Sequence, residues 1–227
     1  MKKRIGILGG ISPASTLEYY RALIYLYHER MHDSDYPEMI IYSLDFGRFT
    51  RLENEGRKKD LTSYISDGIG KLAAAGADFA IMAANSAHDA FDEVSASAKI
   101  PMLSIVDAAA DEASRLGLKK VLLTGIKYTM KADFYRKGLN ARSIEVIVPN
   151  LADQEEINRI IFEELALEKF LPQSRRWFIG MASRYEADGV VLGCTELPLL
   201  VGGDVLGKPL LDTLHLHVKA ALDYSLS

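Results

Sequence analysis

The chain holds one cysteine, Cys194, in "LGCTEL" (192–197), where an apolar run ends in polar residues. A thiol at a strand end beside backbone N–H donors can have its pKa lowered and serve as a base or nucleophile. An unpaired cysteine is also often only a small buried hydrophobe. Here Gly193 precedes the thiol, Thr195 and Glu196 follow it, and Pro198 ends the turn, which favours chemistry. Glu196 is a possible auxiliary acid or base. A second run ends in "AANSAH" (83–88), where Asn85 and Ser86 form a polar pair that could face a ligand or merely make a turn. His88 could carry a proton, although an isolated histidine at a helix start is more often structural. Ala84, in the corresponding place, offers only a methyl group.

Other candidates lie on turns. "LGGISPAST" (8–16) joins an apolar run to a helical pattern, and Ser12 or Ser15 can cap that helix. Free N–H groups at such a start attract a carboxylate or phosphate. The stretch is neither G-x-G-x-x-G nor a Walker loop, so nucleotide binding has little support. In "TGIKYTMKADFY" (124–135), Tyr128 and Thr129 could donate to an anionic ligand or cap a helix. Arg48, in "LDFGRF" (44–49), could grip a carboxylate with both arms of its guanidinium, or be an ordinary surface arginine. The run "RKKD" (57–60) reads as a solvated helix start. His28, His32, His215 and His217 show no spacing with carboxylates that suits a metal, and none is expected.

These residues need elements to hold them. Apolar runs at 4–9, 39–44, 79–84, 101–105, 120–125, 145–149, 189–194 and 208–212 read as strands. Helical patterns fall near 14–30, 60–75, 106–116, 131–138, 153–168 and 172–186, with a last helix over 214–226. Alternation of this kind indicates an α/β fold of mostly parallel sheet covered by helices. Pro37, Pro101, Pro149 and Pro209 fall beside strands, where a missing N–H costs least.

The chain also repeats itself. "GADFAIMAANS" (76–86) lies over "EADGVVLGCTE" (186–196) at an offset of 110, which sets Ala84 on Cys194. "KRIGILGG" (3–10) resembles "KKVLLTGI" (119–126), and "IPMLS" (100–104) resembles "KPLLD" (208–212). Three matches in one order indicate an internal duplication. Ligands of α/β sheets collect at the carboxyl ends of strands. Two related halves would therefore set the Ala84 and Cys194 corners on opposite sides of one cleft.

Composition narrows the class. With 227 residues, 48% hydrophobic and 26% charged, the chain is of ordinary globular make-up and can bury a core without disulfides. A net charge of −4 and the lack of a basic stripe argue against nucleic acid. "MKKRIGILGG" breaks at Gly9-Gly10 and reads as a first strand rather than a leader, and no stretch is long enough to cross a bilayer. A lone cysteine suits a reducing, cytoplasmic setting.

Taken together, "ILGGISPAST", "AANSAH", "GIKYTMKADFY" and "GCTELPLL" resemble the aspartate/glutamate racemase family over nearly the whole chain. The resemblance implies an enzyme without a cofactor and two similar α/β domains related by a pseudo-twofold. It places residues 1–104 with 209–227 in one domain, 105–208 in the other, and the site between them. It also implies a small acidic amino acid or dicarboxylate as ligand and a homodimer. In that family two cysteines flank the substrate α-carbon, one taking the proton and the other returning it on the opposite face. Cys194 matches the second thiol. Asn85, Ser86 and Thr195 match substrate-binding neighbours, and Ser12 and Thr129 match the loop positions. The first thiol falls on Ala84. Ser86, His88 and a bound water are the candidates to replace it. Alternatively, the chain is a one-cysteine lyase resembling the arylmalonate decarboxylases, or a dicarboxylate-binding protein without turnover. A further alternative is that the alanine is an introduced change that traps substrate.

Overall fold

The computed structural model describes residues 2–203 and 206–227. The chain folds as two compact units, Met1–Ile105 with His217–Ser227, and Val106–Leu216. Strands are β1 (Ile5–Gly9), β2 (Met39–Ser43), β3 (Phe79–Met82), β4 (Lys120–Gly125), β5 (Glu145–Ile147), β6 (Gly189–Gly193) and β7 (Leu210–Asp212). Helices in the first part of the chain are α1 (Pro13–Met31), α2 (Phe46–Asn54), α3 (Lys58–Ala74), α4 (Phe91–Ser97) and α5 (Ile105–Arg115). They continue with α6 (Lys127–Lys131), α7 (Phe134–Asn140), α8 (Leu151–Arg159), α9 (Pro172–Ser183), α10 (Leu197–Val201) and α11 (Thr213–Leu226). None of the described helices is long and apolar enough to cross a membrane.

Each unit carries its own parallel sheet, in the order β2-β1-β3 in the first and β5-β4-β6-β7 in the second. Parallel strands covered on both faces are apolar throughout, and β1, β3 and β6 are buried along their full length. In the first unit Leu8, Ala80 and Met82 face a core with Phe49, Ile65, Ile69 and Leu72 from α2 and α3. In the second, Leu122, Val190 and Leu192 pack with Ile157, Phe178 and Met181 from α8 and α9.

Registers bear on the repeat. Ile5 pairs with Phe79, and Val121 pairs with Gly189, the positions that the two sequence overlays make equivalent. The same bracket closes both strand starts. Asp78 accepts from the Arg4 N–H at 2.7 Å, and Asp188 accepts from the Lys119 and Lys120 N–H groups at 2.8 and 2.9 Å.

Two expectations change. The run 101–105 forms no strand but a single parallel bridge, Ala80 to Met102, with Ala80 donating to Pro101 and Leu103 donating to Ala80. Pro101 brings no N–H, and α5 begins at Ile105, so nothing remains to extend the ladder. Its counterpart β7 does form a strand, and it pairs with β6 inside the second unit rather than passing to the first at 209. The short helices α2, α4 and α10 have no counterpart in the expected pattern, because each is too brief to show a helical period.

Candidate functional site

In the first unit the chemistry-bearing residues stand past the carboxyl ends of β1, β2 and β3. Gly10 follows β1 with φ of 86°, and a Cβ there would sit 2.3 Å from the Leu44 carbonyl oxygen. Only glycine fits, because two backbones meet at this point. Ser12 then caps α1, its hydroxyl accepting from the Ser15 N–H at 3.3 Å. Ser15 spends its own hydroxyl on the Ala83 carbonyl at 2.7 Å, which ties the start of α1 to the Ala84 corner.

Arg48 lies on α2, after Asp45 has capped that helix by accepting from the Arg48 N–H. Its exposed guanidinium stacks over the Tyr64 ring at 4.1 Å and makes no ion pair among the described residues. The planar donor fork is thus held by an aromatic face while its outer edge stays open to a carboxylate.

Ala84 is buried, and its methyl packs into the core with Ala80, Ala87 and Phe49. Asn85 and Ser86 are buried beside it, and on α2 burial raises the Glu53 pKa above the ordinary carboxylate value while the Ser86 hydroxyl opposes the rise. The proton-carrier reading of His88 meets an obstacle. Its Nε2 accepts from the Ile105 N–H at 3.1 Å, so Nδ1 carries the hydrogen and donates to the Ala84 carbonyl at 2.8 Å. Both ring nitrogens serve the backbone. Burial, and then His217 nearby, lower the His88 pKa to about 3, so the ring stays neutral and structural.

In the second unit the corner past β6 holds Cys194. Its Sγ donates to Glu196 Oε2 at 2.9 Å, and the Thr195 hydroxyl donates to the same oxygen at 2.7 Å. The thiol pKa is not lowered, as the strand-end position suggests, but pushed well up. Burial is the main cause, followed by the negative Glu196 carboxylate and the hydrogen bond to it; the Glu196 and Leu197 N–H groups oppose this without winning. The resting group is a neutral thiol beside a carboxylate. Such a pair can give a proton directly, or take one once Glu196 has accepted the thiol hydrogen.

Tyr128 and Thr129 sit on α6 after β4. Thr129 is fully buried and its Oγ1 has no partner among the described residues, while its methyl lies against Gly125 and Gly193. Its unsatisfied hydroxyl beside the strand end suits a ligand contact better than a helix cap. Of the remaining histidines, His215 is exposed and pairs with Asp212 at 2.7 Å, whereas His217 is buried in the first unit against Tyr19.

Sequence reading passed over Glu53. Phe49 and Leu52 mark the buried face of α2, with Glu53 half-buried at its edge, but a helix of 9 residues is too short to declare that face in the sequence.

Comparison with known proteins agrees with this architecture. The broad specificity amino-acid racemase RacX of Bacillus subtilis (strain 168) is 29% identical over 220 residues, with 92% of each chain covered. The crystal structure of an aspartate racemase homologue from Pyrococcus horikoshii OT3 is 41% identical and superposes with a TM-score of 0.87 over 100% of both chains. A Yersinia pestis chain of known structure is 34% identical with a TM-score of 0.92, covering 99% of this chain and 100% of its own. The family model for Asp/Glu/hydantoin racemases matches residues 8–221. The chain belongs to the Asp/Glu/hydantoin racemase family.

Proposed function

We propose that this chain is a cofactor-independent amino acid racemase that moves the α-proton of a small acidic amino acid through Cys194. The observation that carries the reading is the hydrogen bond from Cys194 Sγ to Glu196 Oε2 at 2.9 Å. A neutral thiol donates its proton to an α-carbanion, and the thiolate left behind takes a proton from solvent. In the opposite direction the thiol hydrogen passes to Glu196 and the thiolate withdraws the α-proton, leaving a thiol and a carboxylic acid that returns its proton to solvent. Arg48, without an ion pair among the described residues and stacked on Tyr64, supports recognition of a carboxylate. Ser12, Asn85, Ser86, Tyr128, Thr129 and Thr195 supply the remaining polar contacts, and a lone thiol of this kind works best in the reducing cytoplasm.

A second reading, a one-cysteine decarboxylase or lyase, draws on Ala84, which has no group to exchange a proton. Loss of one acid or base costs about 10²–10⁴-fold in rate, so inversion is slow unless another group serves. The assay that separates these incubates the protein with L- and D-aspartate and glutamate in D₂O and follows α-deuteration and chirality separately. Exchange that falls at least about 10²-fold in Cys194→Ser supports the racemase. No exchange with any of the four substrates overturns it. Carbon dioxide from substituted malonates would indicate the lyase, and binding without exchange a dicarboxylate-binding protein.

The functional unit is a homodimer built on α1. Leu17, Tyr20 and Met31 are 71%, 45% and 46% exposed and fall on one stripe of that helix with Ile24. An apolar stripe of this length on a surface helix supports a contact with a second copy.

A further inference from the structure

Arg48 is the third residue of α2, and Asp45, the residue that caps the helix, stands three places before it. Wherever else among the described residues an acid precedes an arginine by three, the two form an ion pair. Glu18–Arg21, Glu112–Arg115 and Glu156–Arg159 do so at 2.7 Å, and Asp133–Arg136 at 3.3 Å. The last is the nearest parallel, because Asp133 and Arg136 hold the same two positions at the start of α7. There Asp133 makes no cap bond and keeps its carboxylate for Arg136. Asp45 does the opposite. Its Oδ1 accepts from the Arg48 backbone N–H at 3.0 Å, and the two side chains form no ion pair.

Tyr64 on α3 is what α7 lacks. The Arg48 guanidinium lies 4.1 Å from the centre of its ring. The ring is itself fixed, since it packs against the core of the first unit and its hydroxyl accepts from the Asp45 N–H at 2.9 Å. One side chain therefore holds both the start of α2 and the head of Arg48. The choice between the two partners matters chemically. An exposed guanidinium gains about as much on an aromatic face as in an exposed ion pair. On the ring, however, the N–H donors at its edge stay unspent, whereas an ion pair with Asp45 would occupy them and offset the positive charge.

We propose that Tyr64 is a positioning residue for ligand recognition: its ring keeps the Arg48 guanidinium off Asp45 and ready for the carboxylate of an acidic ligand. The inference rests on the reading of Arg48 as a carboxylate contact, and all of its residues belong to the first unit. Tyr64 acts through Arg48 and moves no proton.

The test uses succinate, a dicarboxylate without an amino group, as a binding probe on the full chain. Its Kd is measured by calorimetry at fixed salt, and KM and kcat for α-deuteration of aspartate are recorded beside it. Tyr64→Leu should weaken succinate by about 10-fold and raise KM by a similar factor, with little change in kcat. Tyr64→Phe keeps the ring and should recover most of that loss. Adding Asp45→Asn to Tyr64→Leu should recover it to within about 3-fold of the parent, because asparagine still caps α2 but offers the guanidinium no charge. Arg48→Gln should weaken succinate by at least about 10-fold, and Tyr64→Leu on top of it should add little. Thermal unfolding checks that each variant folds, and Tyr64→Met replaces Tyr64→Leu if that one does not. Parental Kd and KM in Tyr64→Leu, an undiminished further loss in the Arg48→Gln background, or no relief from Asp45→Asn overturns the Tyr64 role alone. Parental Kd and KM in Arg48→Gln overturn the Arg48 reading and this one with it, as does a parent that neither binds succinate nor exchanges aspartate.

Discussion

At the scale of single residues, environment rather than identity decides what Cys194 does. Its strand-end position suggests a lowered pKa, but the fold buries the sulfur and sets Glu196 against it, which favours the protonated form. Glu196→Gln removes the negative charge, so the thiol should ionise at lower pH, read as thiolate absorbance near 240 nm through a pH titration. Cys194-dependent exchange should nevertheless fall by roughly 10²-fold, because the proton acceptor is gone. A thiol midpoint that stays in place would show that burial alone sets it. The cysteine, Thr195 and Glu196 were legible as a group because they adjoin in sequence. The stack of Arg48 on Tyr64 was not, since only the packing of α2 against α3 joins residues so far apart.

At the scale of elements, turns and buried polar rings fix the corner. The Gly10 turn admits no side chain, and Gly10→Ala should destabilise the fold by at least about 2 kcal/mol, seen as a lower unfolding midpoint. Behind the Ala84 corner, His88 and His217 lie edge to face at 5.6 Å, and Tyr19 and the Leu103 carbonyl hold the two nitrogens of His217. Burial lowers the pKa of His217 to about 4, and that of His88 is about 3. Both lie below the unfolded value near 6.5, so the unfolded chain binds more protons as pH falls. Stability is full above about pH 6.5 and is lost as pH drops towards those folded values. From pH 7 to pH 5 the loss should be about 2 kcal/mol for each ring, measurable by urea unfolding at the two pH values. A flat profile would show that the rings are charged in the fold. The apolar strands β1, β4 and β6 were legible because buried parallel strands read as unbroken apolar runs. The run at 101–105 misled, since its sequence resembles β7 but α5 begins before a ladder can form.

At the scale of the whole molecule, duplication explains the design of both units. Strand order, register and the Asp78 and Asp188 brackets recur, so each unit ends its third strand in a polar corner. If α1 carries the dimer contact, Leu17→Glu should move the protein from dimer to monomer in sedimentation at micromolar concentration, with the helical signal unchanged. A monomeric parent would remove that proposal. The sequence by itself determined the α/β class, the repeat, the family resemblance and the Cys194 corner, because these depend on local pattern and on residues adjacent in the chain. Tertiary structure decided the rest. It made the thiol a neutral acid, gave both His88 nitrogens to the backbone and laid Arg48 on Tyr64. Those outcomes depend on burial and on contacts between distant segments, and no spacing in a sequence encodes the dielectric around a side chain.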